Sequence, residues 1–329
     1  MKKFKSFIGL SICLVLIGLL LTGCGSKGSK HKEGDIEILR FEHEMLSCEP
    51  DHLYAHLKEI KAQFATNLLF ILPDDPNYME QAVGFAQDPV VRDIYDTVQK
   101  YYKHLYWLES SLTDAMANLE KAGLKMNYSK FITFISAAFD YDNRVAVDGN
   151  SMLISIDQYV LPHMEKYGYF RTPMYMVAMC DSAFLPVDCM IAAAQQQVQF
   201  PETEPTMLDL MVAEGKILYL LDVAFPKMED RLKIRYTEEQ FKWMTHSEAD
   251  VWAFFVQNKM LFETDYNKFH NFIDEAPKTN AFKDSAPRTA DYIGWQMVRR
   301  YVKKTGCSIT QLMAETDSQK ILQESGYRP

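Results

Sequence analysis

Residues 144–156 read RVAVDGNSMLISI. Two short runs rich in β-branched and aliphatic residues, Arg144 to Val147 and Ser151 to Ile156, flank Asp148-Gly149. That dipeptide favours a tight turn, because glycine takes positive φ without a Cβ penalty and aspartate bonds to nearby backbone. The pattern predicts a β-hairpin. A third run of the same character, FITFIS (Phe131 to Ser136), precedes it. Outward in both directions the hydrophobic period lengthens from two to between three and four. PDHLYAHLKEIKAQF repeats apolar residues at Leu53, Leu57, Ile60 and Phe64, and DPVVRDIYDTVQKYYKHLYWLESSL does so over a longer span with Pro89 in a favoured first-turn position after Asp88. Beyond Pro173, helices are predicted over Met174 to Phe184, Val187 to Gln197, Met207 to Leu221, Thr237 to Phe262 and Ala290 to Lys304, followed by two short ones. Thr237 and Gln240 form a capping-box pair at the start of the fourth. The expected class is α+β, mostly helical, with a small β-sheet packed against helices.

The first residues predict export. Lys2, Lys3 and Lys5 precede an apolar run from Phe7 to Leu21, and Leu21-Thr22-Gly23-Cys24 follows. The run is shorter than the 18 or more apolar residues that span a bilayer, and small residues stand directly before a cysteine. These features predict a lipoprotein signal peptide over 1–23 with Cys24 as the lipidated first residue of the mature chain. GSKGSKHKEGD then has no apolar residue, so 24–35 is expected to be a flexible tether. No internal linker, repeat or low-complexity segment divides the remainder, and 36–329 is read as one domain.

The whole chain carries a net charge of −9; without the three leader lysines, 32 basic residues stand against 44 acidic ones, a balance of −12. With no basic cluster interleaved with aromatics, nucleic acid is not an expected partner. The body keeps four cysteines, Cys48, Cys180, Cys189 and Cys307, whose spacing makes no disulfide framework.

Candidate chemistry is sparse. His52 and His56 are four apart on a helix, as two zinc ligands would be, but Leu53 stands where a general-base glutamate belongs; His43-Glu44 begins the same motif and Ser47 ends it. Surface positions explain them better. No nucleophile elbow, phosphate loop or dinucleotide fingerprint occurs. Asp140, Asp142, Asp148 and Asp157 gather near the strands, where aspartate serves turns and strand ends. Glu248 shares a helical stripe with Met244, Val251, Trp252 and Phe255, so its carboxylate is expected to point inward and to need a partner, an arginine such as Arg171 or Arg288, or else to line a cavity.

Several segments resemble the gliding-motility lipoprotein GldB family of the Bacteroidetes: ISIDQYV, GKILYLLDVAFP, RYTEEQFKWMTHSEADVWAFF, SAPRTADYIGWQMVRRYV and the ending DSQKILQESGYRP, with LRFEHEML and LLFILPDDP earlier. The family's Ser-Pro-Gly-Arg reads Ser285-Ala286-Pro287-Arg288 here. The resemblance implies an accessory role in the cell envelope, supporting gliding or the associated secretion machinery. It also implies a distant similarity to gluzincin-type zinc peptidases, in which one helix carries H-E-x-x-H and a later one supplies a glutamate before glycine. VAEGKILYLLD (Val212 to Asp222) has such a glutamate, Glu214. Laid over the preceding helix PVDCMIAAAQQQ, the motif puts Cys189, Met190 and Ala193 at the ligand, base and ligand positions, which leaves zinc short of the three protein ligands it uses in catalysis. Glu214 then reads as the remnant of a degenerate site, or else as an ordinary helix glutamate paired with a lysine.

The expectation is therefore a lipid-anchored, periplasm-facing envelope protein without metal, cofactor or catalysis, acting by binding envelope proteins of the gliding or secretion machinery. The competing expectation is a metallopeptidase-like hydrolase using a site that no motif marks.

Overall fold

A computed structural model describes residues 34–200 and 204–329. The leader, Cys24 and nearly all of the expected tether lie outside the described residues. The N-terminal part runs β1 (Ile38–Arg40), α1 (Phe41–Ser47), α2 (Leu53–Phe64), α3 (Pro76–Gln87), α4 (Pro89–Tyr101) and α5 (Tyr106–Lys121). The strands β2 (Lys130–Phe134), β3 (Val145–Asp148) and β4 (Ser151–Ser155) follow. The C-terminal part holds α6 (Met174–Ala178), α7 (Leu185–Gln195), α8 (Met207–Ala224), α9 (Asp230–Lys233), α10 (Glu238–Gln257), α11 (Tyr266–Phe269), α12 (Thr289–Thr305), α13 (Ile309–Ala314) and α14 (Ser318–Ser325). The chain is mostly helical with one small sheet, as expected.

Local chemistry explains most boundaries. The Asp88 carboxylate accepts from the backbone N–H of Val90 and Val91 ahead of Pro89, and Asp75 does the same for Asn77 and Tyr78 ahead of Pro76. Thr206, Thr237 and Ser308 each close a capping box, with Asp209, Gln240 and Gln311. The Pro89 segment is two helices, broken between Tyr101 and Tyr106, where the sequence pattern had suggested one continuous run. Met174 to Phe184 likewise splits into α6 and a short 3-10 turn, and α10 stops at Gln257, because Lys259 adopts a left-handed backbone (φ +55°).

The four strands lie in the order β1-β2-β4-β3, with β1 parallel to β2, β2 parallel to β4, and β3 antiparallel to β4 at the edge. The hairpin turns at Gly149 (φ +60°). β1 went unread in the sequence: it is three residues long and pairs with a strand far along the chain. β4 is buried at every position, so it reads as a continuous apolar run.

Helix α8 is the centre of the helical body, apolar almost all round, as a helix enclosed by others must be. Its closest neighbour is α12. A Cβ on Gly215 would stand 2.4 Å from the Gly294 carbonyl carbon, and one on Gly294 would stand 1.8 Å from the Met211 carbonyl oxygen. The two helices thus touch backbone to backbone. Gly215 serves the contact with α12. At the far end of the same contact Asp222 accepts from Trp295 Nε1 (2.9 Å), Arg299 Nε and Nη2 (2.6 Å each) and Lys233 Nζ (2.8 Å). Trp295 is fully buried there, its indole N–H satisfied.

Candidate functional site

Helix α7 packs on α8 and on the edge strand β3, and its apolar surface leaves one charged side chain to place, Asp188. A buried carboxylate needs partners. Asp188 Oδ1 accepts from Arg144 Nη2 (3.4 Å) and Arg235 Nη1 (3.1 Å), and Oδ2 accepts from the Tyr159 hydroxyl (2.8 Å). Arg144 stands just before β3, where its carbonyl accepts from Ser155 N–H (2.8 Å) and so extends the hairpin ladder; its guanidinium lies over the Tyr141 ring, 4.0 Å from the centroid.

Arg235 sits just past α9, in the left-handed backbone (φ +55°) that usually falls to glycine at a helix end, and Tyr236 N–H bonds back to Arg231 O (2.8 Å). Arg288 takes a similar backbone (φ +44°) ahead of α12. Such a conformation costs a non-glycine residue about 1–2 kcal/mol, and here the ion pairs on both side chains fix it. Arg235 Nη2 donates to Glu275 Oε2 (3.0 Å), which Arg288 Nε also approaches at 3.5 Å. Arg288 further pairs with Asp291 (3.7 Å) and donates to the Ile234 carbonyl. Tyr141, Arg144, Asp188, Ala192, Arg235 and Glu275 line a small cleft of about 210 Å³. A larger groove of about 640 Å³ beside α5 and the α8–α9 turn has charged lining residues, Asp114, Lys227 and Glu229, that are all exposed.

Glu214 belongs to the back of this cluster. Burial raises the pKa of its carboxyl, against the pull of Arg288 and Arg235. Burial likewise raises Asp291 well above the usual carboxylate range, and the charge of Glu214 adds to it. The neighbours of Glu214 are therefore arginines and a second acid. Among the described residues no salt bridge joins it to a lysine. Cys189 and Ala193 are fully buried, and burial holds the Cys189 thiol well above its ordinary pKa. The α7 residues that line the cleft with the arginines are Asp188 and Ala192. Met190 is fully buried as well. Among the described residues, no group of three or more His, Cys, Asp or Glu is placed to hold a metal ion.

The other expected charges fall elsewhere. Arg288 is buried, at 9 % exposure, but its partners are Glu275 and Asp291. Glu248 is half-buried and accepts from the Tyr327 hydroxyl (2.6 Å), which replaces the arginine partner or cavity expected for it. Asp157 is buried at the end of β4 and accepts from Ser136 N–H, Ala137 N–H and the Ser155 hydroxyl. Asp148 accepts from Asn67 Nδ2 and Leu68 N–H at the end of β3 (2.8 Å each). His56 meets Glu44 at 2.8 Å and His43 meets the Tyr95 hydroxyl at 2.8 Å. Cys48, Cys180, Cys189 and Cys307 are free thiols. Asp188, Arg144, Arg235, Glu275 and Asp291 escaped the sequence reading. The signal was a lone aspartate inside the apolar LPVDCMIAAA.

Burial raises four carboxyls, Glu42, Asp157, Glu214 and Asp291. A raised acid stays protonated in the folded chain above its unfolded value of about 4, so the folded state binds more protons and stability falls as pH rises through that window. His163, lowered by burial, works in the opposite sense between pH 5 and 7, while the acids that their partners hold low, among them Asp230, Glu263 and Glu315, oppose the four only as pH falls to about 4 and below. The melting temperature is expected to rise as pH drops from 7 to about 5 at fixed ionic strength, with a shallower rise in Glu214→Gln. A fall over that range, or an unchanged slope in Glu214→Gln, would contradict the assignment of buried acids.

No curated protein and no solved structure matches the sequence. One family model, described as gliding motility protein GldB, matches residues 26–329, nearly the whole chain, and spans every strand and helix of the cluster. With that coverage, the chain belongs to the GldB family of gliding-motility lipoproteins.

Proposed function

We propose that the chain is a lipid-anchored, periplasm-facing envelope accessory protein that binds an extended segment of a gliding or secretion protein and performs no catalysis. The observation that carries this reading is the outer edge of β3. The ladder bond from Ser155 N–H to Arg144 O, with the antiparallel register, turns Arg144, Ala146 and Asp148 towards β4 and leaves the N–H and C=O groups of Val145 and Val147 on the open side. An open strand edge beside a polar cleft suits an added strand, with backbone bonds giving affinity and pockets reading alternate side chains. In this cleft Arg144 and Arg235 pair with Asp188, and Arg235 also pairs with Glu275. Anchoring rests on the Leu21-Thr22-Gly23-Cys24 sequence; among the described residues no helix is long and apolar enough to cross a membrane.

The test is cross-linked co-purification from envelope fractions. Val147→Pro removes an outward N–H without breaking the β4 ladder, so the fold should hold while partner recovery drops about tenfold. Cys24→Ser should leave the washed membrane fraction. Unchanged recovery with Val147→Pro, retention of processed Cys24→Ser on membranes, or peptide cleavage by the purified chain that Glu214→Ala abolishes would each overturn its part of the reading.

A further inference from the structure

Two guanidiniums, Arg144 and Arg235, and three carboxylates, Asp142, Asp188 and Glu275, line the small cleft. A guanidinium offers five N–H groups and a carboxylate two oxygens. Both oxygens of Asp188 are taken by Arg144, Arg235 and Tyr159, and Glu275 Oε2 is shared by Arg235 and Arg288. Two donors are left over: Arg144 Nη1 and Arg235 Nε are buried and make no hydrogen bond. The Arg144 side chain is only 7 % exposed and lines the cleft, and its Nη1 is one of the two buried donors without a partner. Two further groups stand beside the Arg144 guanidinium: the Tyr141 hydroxyl, itself buried without a hydrogen bond, and Cys180 Sγ, a weak acceptor that donates to the Met176 carbonyl (3.3 Å).

We propose that this cleft takes one carboxylate group, held between the free N–H groups of Arg144 and Arg235. The proposal rests on the strand-docking reading above, since the cleft opens beside Val145 of β3 and would receive a side chain or chain end of the docked segment. Three observations select a carboxylate. A volume of about 210 Å³ admits a single side chain or terminal residue and is smaller than an ordinary small-molecule pocket. Two unpaired guanidinium N–H groups match two carboxylate oxygens, the geometry arginine serves better than lysine. The flanking Asp142, Asp188 and Glu275 would repel a doubly charged phosphate more strongly than a single negative charge. Either an acidic side chain or a free C-terminus would supply the group.

The experiment titrates the purified full chain, carrying 15N-labelled arginine, with acetyl-Ala-Ala-Glu-Ala-amide, its Gln counterpart, tri-alanine with a free C-terminus, and tri-alanine amide. The side-chain signals of Arg144 and Arg235 should move with one or both carboxylate peptides and with neither neutral one; which carboxylate peptide acts identifies the source. Arg144→Lys keeps the charge but loses the fork, and should weaken binding about tenfold or more. If that variant does not fold, the wild-type titration decides alone. Signals unmoved by every peptide, equal shifts with the neutral peptides, or a folded Arg144→Lys that binds like the wild type would overturn the proposal. A null titration with recovery still sensitive to Val147→Pro removes the carboxylate cleft and keeps strand docking.

Discussion

Gly294→Ala should cost the chain at least about 3 kcal/mol, measured as a lower urea midpoint at unchanged m-value. An alanine in mid-helix is ordinarily better than glycine by about 1 kcal/mol. Here the new methyl would enter a space 1.8 Å from the Met211 carbonyl oxygen and 2.6 Å from its carbon. Those are backbone atoms of α8, and no rotamer change can move them aside. The helices must part by an ångström or more, which opens gaps along buried Met211, Leu218, Ile293 and Met297. A domain's net stability is about 5–15 kcal/mol, so the loss is a large share of it. Gly84 in α3 is the control, since a Cβ there meets nothing within 4 Å. Gly84→Ala should be neutral or stabilising by up to about 1 kcal/mol. The same sign and size for both substitutions would show that α8 and α12 are not in backbone contact.

Asp188→Ala should be of comparable severity, about 3–5 kcal/mol, because it removes one partner of a buried charge cluster and leaves the others in place. Arg144 (7 % exposed) and Arg235 (13 %) would then face each other across a void, and the Tyr159 hydroxyl would lose its acceptor. Asp188→Asn keeps an acceptor oxygen and nearly the same volume but not the charge, and should lie between alanine and wild type. Adding Arg144→Met to Asp188→Ala should recover part of the loss, since the unpaired cation goes with its partner. Urea denaturation of these four proteins and of the Arg144→Met single variant checks the order and the coupling. Additive effects in the double variant, or an Asp188→Ala within about 0.5 kcal/mol of wild type, would show that the pairs are weakly coupled.

Much of the fold was legible because its signals are local. Asp148-Gly149 marked the hairpin, Asp88-Pro89 a helix start, and Thr237 with Gln240 a capping box; each operates within a few residues of itself. β1 was not legible, since its only advantage is a partner in β2. Glu248 shows how far periodicity reaches. Met244, Val251 and Phe255 are fully buried, so the stripe was phased correctly, yet the carboxylate meets Tyr327 near the end of the chain, and no local pattern carries that information. The facing of α7 was no more legible. A helix apolar all round does not reveal which face meets which neighbour. Asp188 did reveal it: a charge enclosed by aliphatic residues must point to its counter-charge, and those arginines come from separate turns that only the tertiary fold brings together.

The backbone contact of α8 with α12 also dictates a schedule. Chain growth runs from the N-terminus, and α12 is among the last segments made. Until it arrives, Gly215 and the apolar side chains around it have no cover, and the sheet with the first helices cannot supply one, because the surface at Gly215 fits a bare backbone and little else. Non-local pairings of this kind slow folding and leave intermediates exposed to aggregation. The Gly215 face of α8 is thereby completed only by the final stretch of the chain, although α5 and α7 already pack on the same helix.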